Sequence, residues 1–97
     1  MGGSAVLEKQ LEAKVGRYAL ARGVLYYKFT SPQRRGVPDR LLVAPNGRTG
    51  FLELKAPTGR LSPLQRHEID RLTGNRAAVL VANNFEEAAA FVDELCR

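Results

Sequence analysis

Apolar positions recur along this chain in two alternating periods, helical and extended, which predicts a mixed α/β domain. Leu7, Leu11, Val15 and Tyr18 fall at helical spacing ahead of Arg22-Gly23, a helix stop, so the first helix is expected over residues 5 to 22. Leu25 to Phe29 is a short aliphatic and aromatic run of strand type, and Thr30 to Pro38, rich in Pro, Gly and Arg, reads as a loop. Asp39 to Ala44 and Gly50 to Lys55 are two further strands, joined through Asn46-Gly47, a strong hairpin signal, so they should be antiparallel neighbours. Ser62-Pro63-Leu64-Gln65 sets a cap residue, a proline at the first helical position and a glutamine three residues after the cap, which starts a helix running to about Thr73. Ala77 to Ala82 is a buried strand candidate. Asn84 with Glu87 then forms a second capping box, and Phe85, Ala88, Ala89, Val92 and Leu95 make the inner stripe of a closing helix.

Ninety-seven residues with 44% hydrophobic content suffice for one core and leave little for a second. The domain is expected over residues 5–97, with 1–4 a flexible start or a cloning remnant. Fifteen basic against ten acidic residues give a net charge of +5, which favours an anionic partner such as nucleic acid. The excess is concentrated: Lys28, Arg34, Arg35, Arg40, Arg48, Lys55, Arg60 and Arg66 lie between residues 28 and 66, against only Asp39 and Glu53. If that segment forms one face, it would neutralise phosphates with little regard to sequence. Cys96 has no partner for an intrachain disulfide, and neither a secretory leader nor a membrane span is expected, so a reducing cytoplasm is the expected location.

The candidate chemistry starts in the second strand of the hairpin. In Phe51-Leu52-Glu53-Leu54-Lys55, alternation puts Glu53 and Lys55 on one side with Phe51, and Leu52 with Leu54 on the other. By themselves a Glu and a Lys on one strand face describe an ordinary solvated surface. The hairpin adds a partner, because folding back about Asn46-Gly47 brings Asp39 near residues 53 to 56. Two carboxylates on adjoining strands suit Mg²⁺ or Mn²⁺, with the Leu54 backbone carbonyl as a further ligand. Lys55 could then stabilise charge developing on a phosphoryl group or orient an attacking water.

Gly36-Val37-Pro38-Asp39-Arg40, then Phe51-Leu52-Glu53-Leu54-Lys55-Ala56-Pro57, then Leu61-Ser62-Pro63-Leu64-Gln65 resemble, in order and spacing, the successive motifs of the VRR-NUC domain of the PD-(D/E)XK nuclease superfamily. The resemblance spans most of the chain. It implies a restriction-endonuclease-like domain with an αβββαβ core, a mixed central sheet flanked by helices. It also implies a metal-dependent endodeoxyribonuclease in which Asp39 and Glu53 bind metal and Lys55 assists catalysis. Stand-alone phage and bacterial members of the family further imply a homodimer acting on branched DNA such as Holliday junctions, in the cytoplasm of a bacterium or infected host.

The family's helix-borne glutamate aligns best with Glu12; Glu8, one turn earlier, is the lesser candidate, and a solvated helix face accounts for either. Gln65 is explained by its capping box alone. It also falls on one stripe with Leu61, Ile69 and Leu72, so pointing toward the sheet would compete with capping, and the family motif favours duty at the site. Arg34 and Arg35 are the preferred clamps for the DNA backbone, with Lys28, Arg40 and Arg60 as further contacts. Tyr26, Tyr27 and Phe29 read as strand packing before base stacking. His67, the only histidine, reads as a helix surface residue. The chain lacks a Cys-x-x-Cys zinc pattern, a phosphate loop and a nucleophilic triad. The competing class is a non-catalytic basic DNA-binding module, or a nuclease subunit that needs a larger complex.

Overall fold

A computed structural model describes residues 2–97, with side chains from residue 6 onward. The elements follow one another as α1 (Gly2–Ala21), β1 (Leu25–Lys28), β2 (Arg40–Val43), β3 (Thr49–Leu54), α2 (Pro63–Gly74), β4 (Ala78–Ala82) and α3 (Phe85–Leu95). The expected core is therefore present, with α3 closing it. Helix α1 begins earlier than expected: the backbone of residues 2–4 continues the helix. It ends where Arg22-Gly23 predicts, with Gly23 at φ +76° turning the chain into β1.

The strands lie in the order β1-β2-β3-β4; the first two pairings are antiparallel and β3 pairs with β4 in parallel. Helix α2 supplies the crossover that a parallel pair requires. At the hairpin tip the Asn46 side chain accepts from the Arg48 N–H and donates to the Leu95 carbonyl, while Gly47 takes φ +87°. Asn46 thus sets the turn and ties it to the end of α3.

Alternation divides the sheet into two faces. Leu42, Leu52, Leu54 and Ala82 join Val15 and Ala19 of α1 with Ala88, Val92 and Leu95 of α3 in one buried cluster. The first helix turns a shorter stripe inward than expected. Leu11, Val15 and Tyr18 pack on the core, but Leu7 is exposed because it lies beyond the part of α1 that covers the sheet. Gly50 lets Phe91 approach β3, since a Cβ there would lie 2.7 Å from the ring. The opposite face carries Phe51 and Glu53 and receives α2, whose Ile69 is buried.

The expected capping box forms at α2, but at α3 only its first half does. Ser62 accepts from the Gln65 N–H and Gln65 reciprocates to the Ser62 N–H, completing the box at α2. At α3, Asn84 accepts from the Glu87 N–H at 2.8 Å, while Glu87 itself is exposed. Of the aromatic residues near the hairpin, Tyr26 packs against the core and Phe29 meets Phe51 edge-to-face at 5.9 Å, whereas Tyr27 is half exposed.

Candidate active site

The β2–β3 register runs Arg40 to Leu52, Leu41 to Phe51, Leu42 to Gly50 and Val43 to Thr49. One step further along, Asp39 stands opposite Glu53 at the open end of the hairpin. The proximity is also electrostatic: the Asp39 charge acts on the Glu53 carboxyl. Glu53 is 6% exposed. Burial pushes its carboxyl above the usual range, the Asp39 charge pushes the same way, and Lys55 opposes both. The Lys55 ammonium lies 3.6 Å from the Glu53 carboxylate, on the same strand face as alternation requires.

Helix α2 adds Gln65 from above this face. Its side-chain oxygen accepts from the Ser62 N–H at 2.9 Å, and its amide nitrogen donates to Glu53 at 3.5 Å. Capping and contact with the site therefore do not compete, contrary to expectation, because the carboxamide has two ends and each role uses one.

Glu12 stands apart from this group. Strand alternation sends Arg40 to the α1 side of the sheet, opposite to Asp39, and there Arg40 lies 3.5 Å from Glu12 and stacks over the Tyr26 ring at 4.8 Å. The Tyr26 hydroxyl donates to the Glu12 backbone carbonyl. Burial pushes this phenol up to about 12; Arg40 lowers it, and Glu12 and Asp39 raise it. Among the described residues no three His, Cys, Asp or Glu side chains close on a common point. The donor set assembled here is Asp39 and Glu53, with Gln65 beside it.

That set fits a hard divalent cation. Asp39 Oδ1 is buried without a hydrogen-bond partner, an arrangement that costs free energy unless something completes it. Its neighbour is a desolvated carboxylate with only one nearby ammonium to offset two anions. Two anionic oxygens on rigid strands with unspent acceptor capacity are what Mg²⁺ or Mn²⁺ coordination uses.

The cationic candidates separate into three groups. Lys28, Arg35 and Arg60 are exposed. Arg34 is bound to Glu68 of α2 through Nε and Nη2, and both arginines of the loop line clefts of about 280 and 320 Å³, the larger of which includes Asp39. Arg40 is mostly buried, its side chain 16% exposed between Glu12 and Tyr26 at the edge of a cleft, with its Nε buried without a partner. His67 is exposed on α2, as expected. Glu68 escaped the sequence reading. The available signal was its position beside Ile69 and three residues after Gln65, on the inward stripe of α2, where an acid is out of place.

Comparison with known proteins identifies the family and the fold. The VRR-NUC domain family profile matches residues 8–86. The curated protein "Putative nuclease p44" of Acyrthosiphon pisum secondary endosymbiont phage 1 is 45% identical over 76 residues, which cover 76% of this chain and 77% of that protein. A solved structure described as a VRR_NUC domain superposes with a TM-score of 0.81 at 26% identity, covering 90% of this chain and 95% of the other. The profile spans both carboxylates, the lysine and the glutamine assembled above, and the chain belongs to the VRR-NUC domain family of nucleases.

Proposed function

We propose that this nuclease is a divalent-metal-dependent DNA endonuclease that holds Mg²⁺ or Mn²⁺ at Asp39 and Glu53, with the Leu54 carbonyl as a further ligand. The observation that carries this reading is the buried, unpartnered Asp39 oxygen beside the desolvated Glu53 carboxylate. The ion supplies Lewis acidity toward the phosphate and the attacking water. Lys55 acts on the charge that develops at the scissile phosphate, and Gln65, anchored by its cap, orients the water from the α2 side. Glu12 joins the ligand set only by leaving Arg40, which makes it the outermost candidate. Lys28, Arg35 and Arg60 contact phosphates along the strand.

The substrate proposed is branched DNA of the Holliday-junction type, cut by a homodimer. Twofold symmetry of the enzyme would match twofold symmetry of a junction. Support for pairing of two copies comes from edge strand β1, where Leu25 and Tyr27 are 47% and 51% exposed. The test is cleavage of labelled linear duplex, flap and four-way junction DNA by wild type and Asp39→Ala in Mg²⁺, Mn²⁺ or EDTA. Metal-dependent cutting that Asp39→Ala abolishes is expected, with the junction preferred. Retention of cutting in EDTA overturns the metal reading, and a monomer by light scattering that still makes paired cuts overturns the dimer.

A further inference from the structure

The loop between β1 and β2 is fastened to α2 at two places. Gly36, at φ +88°, lies so close to the first turn of α2 that a Cβ would stand 2.5 Å from the Leu64 carbonyl oxygen. One turn further along the helix, Arg34 donates from Nε and Nη2 to a single oxygen of Glu68, at 2.9 and 2.7 Å. Arg71 adds a bond to that oxygen at 3.1 Å. Glu68 is 5% exposed, a rare burial for a carboxylate, while the side chains of both its arginine partners remain about half exposed.

This geometry uses one of the two paired edges of the Arg34 guanidinium and leaves Nη1 unbonded on a side chain that is 48% exposed. Its attachment also has a direction. The loop it fixes continues through Gly36 and the fully buried Pro38 to Asp39, and the helix it grips carries Gln65.

We propose that Glu68 is a positioning residue of the metal site: through Arg34 it fastens the loop ending in Asp39 to the helix carrying Gln65, so that both meet Glu53 as one unit. The proposal rests on the nuclease reading above. Residues that orient metal ligands without touching the ion typically change affinity by about 10–100-fold when removed.

The test uses Glu68→Gln, Arg34→Ala and the double variant, with Mn²⁺ binding measured by calorimetry in the absence of DNA. Each single variant should bind Mn²⁺ on the order of 10-fold more weakly, and the double variant no more weakly than either, because both act through one contact. Hydrogen exchange should accelerate in residues 31–38. Glu68→Gln should need more Mn²⁺ for cleavage, yet regain most of the wild-type rate at saturation. Wild-type Mn²⁺ affinity in both single variants, or losses that add in the double variant, would overturn the strap. Arg34→Ala, which removes a half-exposed side chain, keeps the test valid if Glu68→Gln fails to fold. Absence of Mn²⁺ binding by the wild type would instead overturn the metal-site reading itself.

Discussion

Gln65 reaches Glu53 with the amide end of a side chain whose oxygen closes the first turn of α2. Substituting Gln65→Glu separates the two roles, since glutamate is equally suited to the third position of a capping box. The cap should persist, and thermal stability should fall by no more than about 1 kcal/mol, the share set by the added charge beside Glu53. Cleavage should fall by roughly 10-fold or more, because a donor facing Glu53 becomes a third anion. Melting curves and cleavage rates on the same preparations check this; equal losses in both would assign Gln65 to the cap alone.

Lys55→Ala should lower the cleavage rate by on the order of 100-fold, the scale for removing one stabiliser of transition-state charge. DNA binding measured in Ca²⁺ should change little, because one phosphate contact among several is lost. Unchanged turnover would remove the lysine from the mechanism.

Glu53 and Glu68 should affect stability in opposite directions with pH. Burial, then the Asp39 charge, raises the Glu53 carboxyl in the folded protein. Its contribution therefore favours the fold below the unfolded carboxylate range and is lost as pH rises through the raised folded value. In EDTA at neutral pH, Glu53→Gln should raise the melting temperature by a few degrees while abolishing cleavage, and the gain should vanish in acid. Glu68 is held low, chiefly by its hydrogen bonds to Arg34. Its contribution is present above the unfolded range and is lost as pH falls through the depressed folded value. Glu68→Gln should accordingly lower the melting temperature at neutral pH and converge with wild type in acid.

Gly36→Ala should destabilise the protein by about 1–3 kcal/mol, the cost of a non-glycine residue in the left-handed region, with the clash against the Leu64 carbonyl added. Urea unfolding measures it. A stability equal to wild type would mean that the loop does not need its close approach to α2.

Mn²⁺ at about 100 times its dissociation constant should stabilise the wild type by about 2.7 kcal/mol through mass action. Asp39→Ala should show no such gain, and Glu12→Gln a reduced one. A full gain in Asp39→Ala would move the ion elsewhere.

The sequence was most informative where the chemistry is local. Asn46-Gly47 defines the hairpin, and the hairpin in turn places Asp39 beside Glu53; Ser62-Pro63-Leu64-Gln65 marks the start of α2 from four adjacent residues. Those signals are local because turns and caps are closed by neighbours in the chain. What escaped depends on contacts between distant segments. Arg34 and Glu68 are separated by 34 positions, and no periodicity links a loop arginine to a helix acid. The enclosure of Arg40 was hidden for a related reason. Alternation assigns it the face opposite Asp39, but only the placement of α1 and the β1–β2 pairing show that Glu12 and Tyr26 wait there.

The group around Glu53 comes from one uninterrupted stretch, the β2–β3 hairpin followed by the start of α2. Short loop closures form early because little chain entropy opposes them, whereas α1 and α3 must find the sheet and each other across most of the sequence. The reactive constellation is thus assembled from a part of the chain whose contacts have short sequence separation. The distant helices contribute the apolar backing that makes it permanent, which divides the labour between chemistry and durability along the chain itself.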